Sequence, residues 1–118
     1  MIIDMPPGIG DAVLDLIRLV KRSEFIIVTT PSRLAFETVR KLANLVQELH
    51  VPLLGIVENM KINTKSEIAQ QTKQLNLPYL GEIPFDSDVE AAIGKPSALL
   101  KTAIAREIKK IAAEILKS

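Results

Sequence analysis

The chain has 118 residues, 47% of them hydrophobic and only 3% aromatic, which suits one domain, spanning 1–118, with an aliphatic core of Leu, Ile, Val and Ala. Fifteen Lys and Arg nearly balance fourteen Asp and Glu, so no net field points to a nucleic acid or an anionic membrane as partner. Cysteine is absent, which excludes disulfides, thiolate nucleophiles and Fe–S or zinc sites built from this chain's own cysteines; no apolar run approaches the roughly 20 residues of a membrane span, and no basic-then-apolar leader opens the sequence, so a cytoplasmic location is expected.

Four short apolar runs, residues 1–4, 25–30, 53–59 and 79–84, recur at intervals of about two dozen residues, each followed by helical spacing. The expectation is an α/β fold: three layers, a mostly parallel sheet of about four strands, helices on its flanks. After the first run, Val13, Leu16, Ile17 and Val20 share a helix face, and Lys21-Arg22 supplies cations where the helix dipole favours them. After the second, Ala35, Val39, Leu42, Val46 and Leu49 stripe a long helix. Thr64 with Glu67, and Ser87 with Glu90, have the spacing of capping boxes for a third and a short fourth helix. A last helix from about residue 97 carries Leu100, Ile104, Ile108, Ile111 and Ile115 inward, with Lys109, Lys110 and Lys117 outward.

Parallel sheets gather ligand sites at the C-terminal ends of their strands. Those ends read D-M-P-P-G-I-G-D from Asp4, T-T-P-S from Thr29, E-N-M-K from Glu58 and I-P-F-D from Ile83. Any one of them, taken alone, is ordinary loop composition. Their joint order resembles the C-terminal half of the Mrp/Nbp35 family of P-loop ATPases, relatives of MinD and ParA, over essentially the whole chain. In that family the domain binds ATP and Mg²⁺, commonly as a dimer, and many members scaffold or carry Fe–S clusters.

The resemblance implies roles at matching positions. Asp4 corresponds to the Walker B aspartate that holds the Mg²⁺ hydration shell, in keeping with the preference of Mg²⁺ for few carboxylates and retained waters. Gly8, Gly10 and Asp11 correspond to the switch segment that senses the γ-phosphate, which assigns Asp4 and Asp11 to catalysis. Asn59 matches the asparagine that reads the adenine edge, and Pro84 and Asp86 match the loop that wraps the base. Three departures carry equal weight, one being Ile9 where relatives usually carry threonine and Ser32 where they often carry glutamine. The Gly-Lys-rich Walker A loop, which precedes D-x-P-P-G in the family, is not among these residues, so the chain is expected to be the C-terminal half of such an ATPase and not to hydrolyse ATP alone. The C-x-x-C that follows E-N-M in cluster-carrying members is replaced by Lys61-Ile62-Asn63-Thr64-Lys65, which offers no ligand to a cluster.

The remaining chemistry-bearing residues read as structural. His50, the single histidine, follows a helix end and has no cysteine or second histidine to join it in a metal site. Tyr79 is expected to pack at the start of the last strand with its hydroxyl in water. Ser23, Ser32 and Ser66 lack a G-x-S-x-G context. Two readings stay open. One is a partial nucleotide-binding module that takes ATP and Mg²⁺ with a partner chain supplying the Walker A half. The other is an interaction module that binds no nucleotide. In both, the first strand and first helix expose apolar surface, and a two-fold homodimer through them is expected.

Overall fold

Three parallel strands in sequence order, β1 (Phe25–Thr29), β2 (Leu53–Lys61) and β3 (Tyr79–Pro84), form the sheet. The structure is a computed structural model and describes residues 1–5, 11–20, 22–62 and 67–117, with Val13 described by its backbone alone. Helices α1 (Asp11–Leu19), α2 (Arg33–Glu48), α3 (Ile68–Gln74), α4 (Asp88–Ala92), α5 (Pro96–Leu99) and α6 (Ala103–Leu116) complete the described elements. Among the described residues no helix is long and apolar enough to cross a membrane.

The strands form where β-branched and aliphatic residues run together, and register follows from which side chains must be buried. Ile27 lies beside Ile56, and Ile56 beside Tyr79. On this face α2 lays down Phe36, Val39 and Ala43, and α3 adds Ile68, to make the main core. Successive strand residues point to opposite faces. Val57 and its partner Gly81 therefore face the other way, towards α6. There a Cβ added to Gly81 would come within 3.0 Å of Ile111 Cγ1, so the missing side chain is what lets helix and strand approach. At Gly55, whose φ is +153°, an added Cβ would meet Leu80 Cγ and the Pro78 carbonyl oxygen at 2.7 Å.

Helix ends follow local chemistry. Ser32 Oγ accepts the Ala35 N–H at 3.4 Å to start α2, and Thr102 Oγ1 accepts the Ala105 N–H at 3.2 Å to start α6. His50 and Asn76, each just past a helix C-cap, adopt left-handed φ of 57°, the conformation in which a helix commonly ends.

Several sequence expectations need correction. Residues 1–5 form no strand, so the described sheet has three strands rather than about four, with β1 and β3 at its edges. Ile2 is 99% exposed, because nothing among the described residues offers the buried partner that its apolar character calls for. The long final helix is two: α5 begins at Pro96, and Thr102 caps α6 afresh, so Leu100 is exposed outside the stripe and Ile111 is the residue of α6 that is buried. Ser87 caps nothing with its side chain; instead Asp86 Oδ1 accepts the Asp88 N–H at 3.0 Å. The Thr64 capping box lies outside the described residues, apart from Glu67, whose side chain makes no cap bond at α3.

Candidate functional site

At the C-terminal end of β2 the ladder is interrupted. Glu58 pairs with Glu82 and Lys61 with Pro84, so Asn59 and Met60 on β2 stand opposite Ile83 alone on β3. This two-for-one arrangement is a β-bulge. Its second residue, Met60, sits at φ 59°, a left-handed conformation that an unbranched side chain adopts only against steric resistance. Beyond the bulge the Phe85 N–H donates to the Lys61 carbonyl at 3.0 Å and re-closes the pairing. The bulge places half-buried Asn59 at the rim of the sheet, beside the half-buried Pro84 that ends β3 and the Asp86 turn that opens α4.

Directly below this rim lies a buried charge. Glu58 is 0% exposed although it is ionisable. Its Oε1 accepts the Tyr79 hydroxyl at 2.8 Å, and Lys61 Nζ stands 3.9 Å from the same oxygen while also pairing with Glu82. Burying a carboxylate is expensive unless it is paired and hydrogen-bonded, and this one is both. Burial first, then the hydrogen bond to Glu58, then the charges of Glu58 and Glu82, push the Tyr79 phenol well above its ordinary range. The hydroxyl expected to be in water is thus committed to the protein. Sequence reading missed Glu58, Lys61 and Tyr79 as a unit. The available signal was a lone Glu directly following the fully apolar Ile56-Val57, with a Lys three residues on.

The residues expected at the phosphate and metal side are not gathered at this rim. Asp4 is exposed, and its neighbours Ile3 and Met5 line a groove of about 440 Å³ with Ser23, Glu24, Phe25 and Ile26, at the opposite end of β1. Asp11 is the exposed first residue of α1. Gly8 and Gly10 lie outside the described residues. Among the described residues no group of three or more His, Cys, Asp or Glu side chains is placed to hold a metal ion. A lone exposed carboxylate does not make a Mg²⁺ site, so the donors described here do not fit that ion by themselves. The base-side residues Asn59, Pro84 and Asp86 lie at or just past the adjoining C-terminal ends of β2 and β3.

Comparison with known proteins bears on the whole chain. The sequence pattern of the family described as "ParA: NUBPL iron-transfer P-loop NTPase" matches residues 1–118. An iron-sulfur cluster carrier protein of Synechocystis sp. is 33% identical over 92% of this chain and 37% of its own length. The iron-sulfur cluster transfer protein NUBPL of Dictyostelium discoideum is 31% identical over 99% of this chain and 41% of its own. The chain therefore spans about two fifths of the length of these curated relatives. Among solved structures, a plasmid partition protein of Borrelia burgdorferi bound to AMPPNP superimposes with a TM-score of 0.57 at 18% identity, over 78% of this chain and 38% of that one, which is a likeness of fold.

Proposed function

The chain belongs to the NUBPL-type branch of the ParA iron-transfer P-loop NTPases, and from that premise we propose that it is the base-binding part of a nucleotide site in an iron–sulfur carrier ATPase. The observation that supports this reading is the bulge that ends the β2–β3 pairing, with Asn59 on β2, and Pro84 and Asp86 at and just past the end of β3, at the C-terminal strand ends where parallel sheets bind ligands. The Asn59 amide offers a donor and an acceptor, the pair that an adenine edge requires, and the Pro84 ring offers an apolar surface to its plane. An adenine nucleotide bound there brings a phosphoanhydride as the group to be cleaved. Family resemblance assigns Asp4, Asp11, Gly8 and Gly10 to the Mg²⁺ and γ-phosphate side, where the described donors do not by themselves make a metal site.

Phosphoryl transfer depends on positioning and charge stabilisation. These 118 residues contain no Gly-x-x-x-x-Gly-Lys-Ser/Thr segment, so the phosphate cradle must come from outside them and the chain alone does not turn over ATP. They also contain no cysteine, so a cluster carried by such an ATPase takes its thiolates from elsewhere. Calorimetric titration tests the reading. Adenosine and ATP should bind the chain with similar, modest affinity. Phosphate release above a no-protein blank that Asp4→Ala abolishes would refute it.

A second reading is favoured by one observation. β1 is one of the two edge strands of the described sheet, and on one of its faces Ile26 is 40% and Val28 60% exposed. An apolar edge of this kind templates association, and a homodimer or a partner chain carrying the phosphate loop would cover it. Light scattering at micromolar concentration should then report at least a dimer, which a lysine at Val28 dissociates.

A further inference from the structure

We propose that Lys61 is a positioning residue: by tying Glu58 to Glu82 across the bulge it holds Met60 in its left-handed conformation and so sets Asn59 for its ligand. The proposal rests on the reading of Asn59 as a base-side residue. It adds to that reading the device that places Asn59, and a site role for three residues the sequence left aside.

The geometry is that of a clamp. Glu58 and Lys61 bracket the two bulged residues on β2, and both reach β3, Glu58 through the Tyr79 hydroxyl at 2.8 Å and Lys61 through the Glu82 carboxylate. Lys61 Nζ closes the loop at 3.9 Å from Glu58 Oε1. The Lys61 side chain is 15% exposed, so solvent screens it far less than a surface lysine. Main-chain pairing resumes at the Lys61 carbonyl, which accepts the Phe85 N–H, so the ammonium anchors the residue at which the bulge ends. A strained backbone persists only where its surroundings over-determine it, and Met60 at φ 59° is such a place. Bulges of this type re-aim a side chain at the rim of a sheet. Without the ammonium, a relaxed φ at Met60 would restore one-to-one pairing and turn Asn59 to a different face.

The test uses the full 118-residue chain and nuclear magnetic resonance. In the unaltered chain Met60 should give a strong intraresidue HN–Hα cross-peak, the signature of positive φ. Lys61→Met should lose it and move the Asn59 side-chain amide signals. Lys61→Arg, which can reach the same carboxylates, should keep both. Adding Met60→Gly to Lys61→Met, so that the bulge forms without the clamp, should return the Asn59 signals and recover adenosine affinity that Lys61→Met lowers about tenfold, the equivalent of one well-placed hydrogen bond. A folded Lys61→Met chain with its Met60 cross-peak and Asn59 signals unchanged would overturn the proposal. Should that variant fail to fold, Glu82→Gln, at the exposed end of the clamp, decides: it should move the Asn59 amide signals, and unchanged signals would overturn the proposal. If the unaltered chain takes up no adenosine, the base-side reading fails, while the cross-peaks still settle whether Lys61 holds the bulge.

Discussion

The seam between β2 and β3 contrasts sharply with the outer edge of β1. Between β2 and β3 the buried Glu58 carboxylate is satisfied by the half-buried Tyr79 hydroxyl and Lys61 ammonium, which tie the two strands together. Along β1 the outer edge is open among the described residues, and apolar Ile26 and Val28 face solvent. A chain of this composition has no shortage of aliphatic residues to fill a core. The proposed base-side site would account for the difference. The β2–β3 end accepts buried charge and backbone strain at Met60, which stability alone does not favour, while the β1 edge leaves burial incomplete, as expected of a surface that another segment covers.

Substitutions along β2 and β1 break that contrast in graded steps. The largest effect is expected at Ile56, fully buried in the core under α2. Ile56→Ala should cost about 3 kcal/mol, read as a lowered urea midpoint with the slope unchanged. Next is Gly55→Ala, which drives a Cβ against the Pro78 carbonyl at 2.7 Å in a backbone conformation unfavourable to side chains. A loss of about 2 kcal/mol is expected from the overpacking.

Tyr79→Phe sharpens the comparison through pH. Removing the hydroxyl leaves Glu58 short of a donor and should cost about 1–2 kcal/mol at neutral pH. The sign follows from the raised phenol: the fold favours the neutral hydroxyl, so its contribution is complete below the ordinary tyrosine value of about 10. As pH rises beyond that, the unfolded chain ionises first and the contribution is lost. Stability should fall above about pH 10 in the unaltered chain, and Tyr79→Phe should flatten that fall. The smallest effect on folding is expected at the open edge. Val28→Lys should change stability by no more than about 0.5 kcal/mol while reducing self-association in light scattering.

Strand runs with uniform apolar character and the existence of a long α2 were legible in the sequence, but its buried face is Phe36, Val39, Ala43 and Val46, so of the expected stripe only Val39 and Val46 are buried and Leu49 is an exposed cap. The motif order gave the family. The first strand was not legible in the same way: Met1-Ile2-Ile3 has strand composition, but a strand needs a neighbour to pair with, and composition does not supply one. Ser87 failed as a cap because its backbone is already helical (φ −68°, ψ −20°), and Asp86, one residue earlier, makes the turn bond to the Asp88 N–H. The bulge at Asn59 and Met60 was hidden for a further reason. A left-handed methionine has no sequence signature, and the bulge around it is defined only by pairing with β3, two dozen residues away.

The central claim is that the ends of β2 and β3 receive the base of an adenine nucleotide. Following the amide signals of the isotope-labelled chain during an adenosine titration tests it most directly. The account predicts saturable shifts concentrated at Asn59, Met60, Phe85 and Asp86, repeated with ATP and lost in Asn59→Ala. Shifts clustered instead around Asp4 and Asp11, appearing only with ATP and Mg²⁺, or no shifts with either ligand, would contradict it.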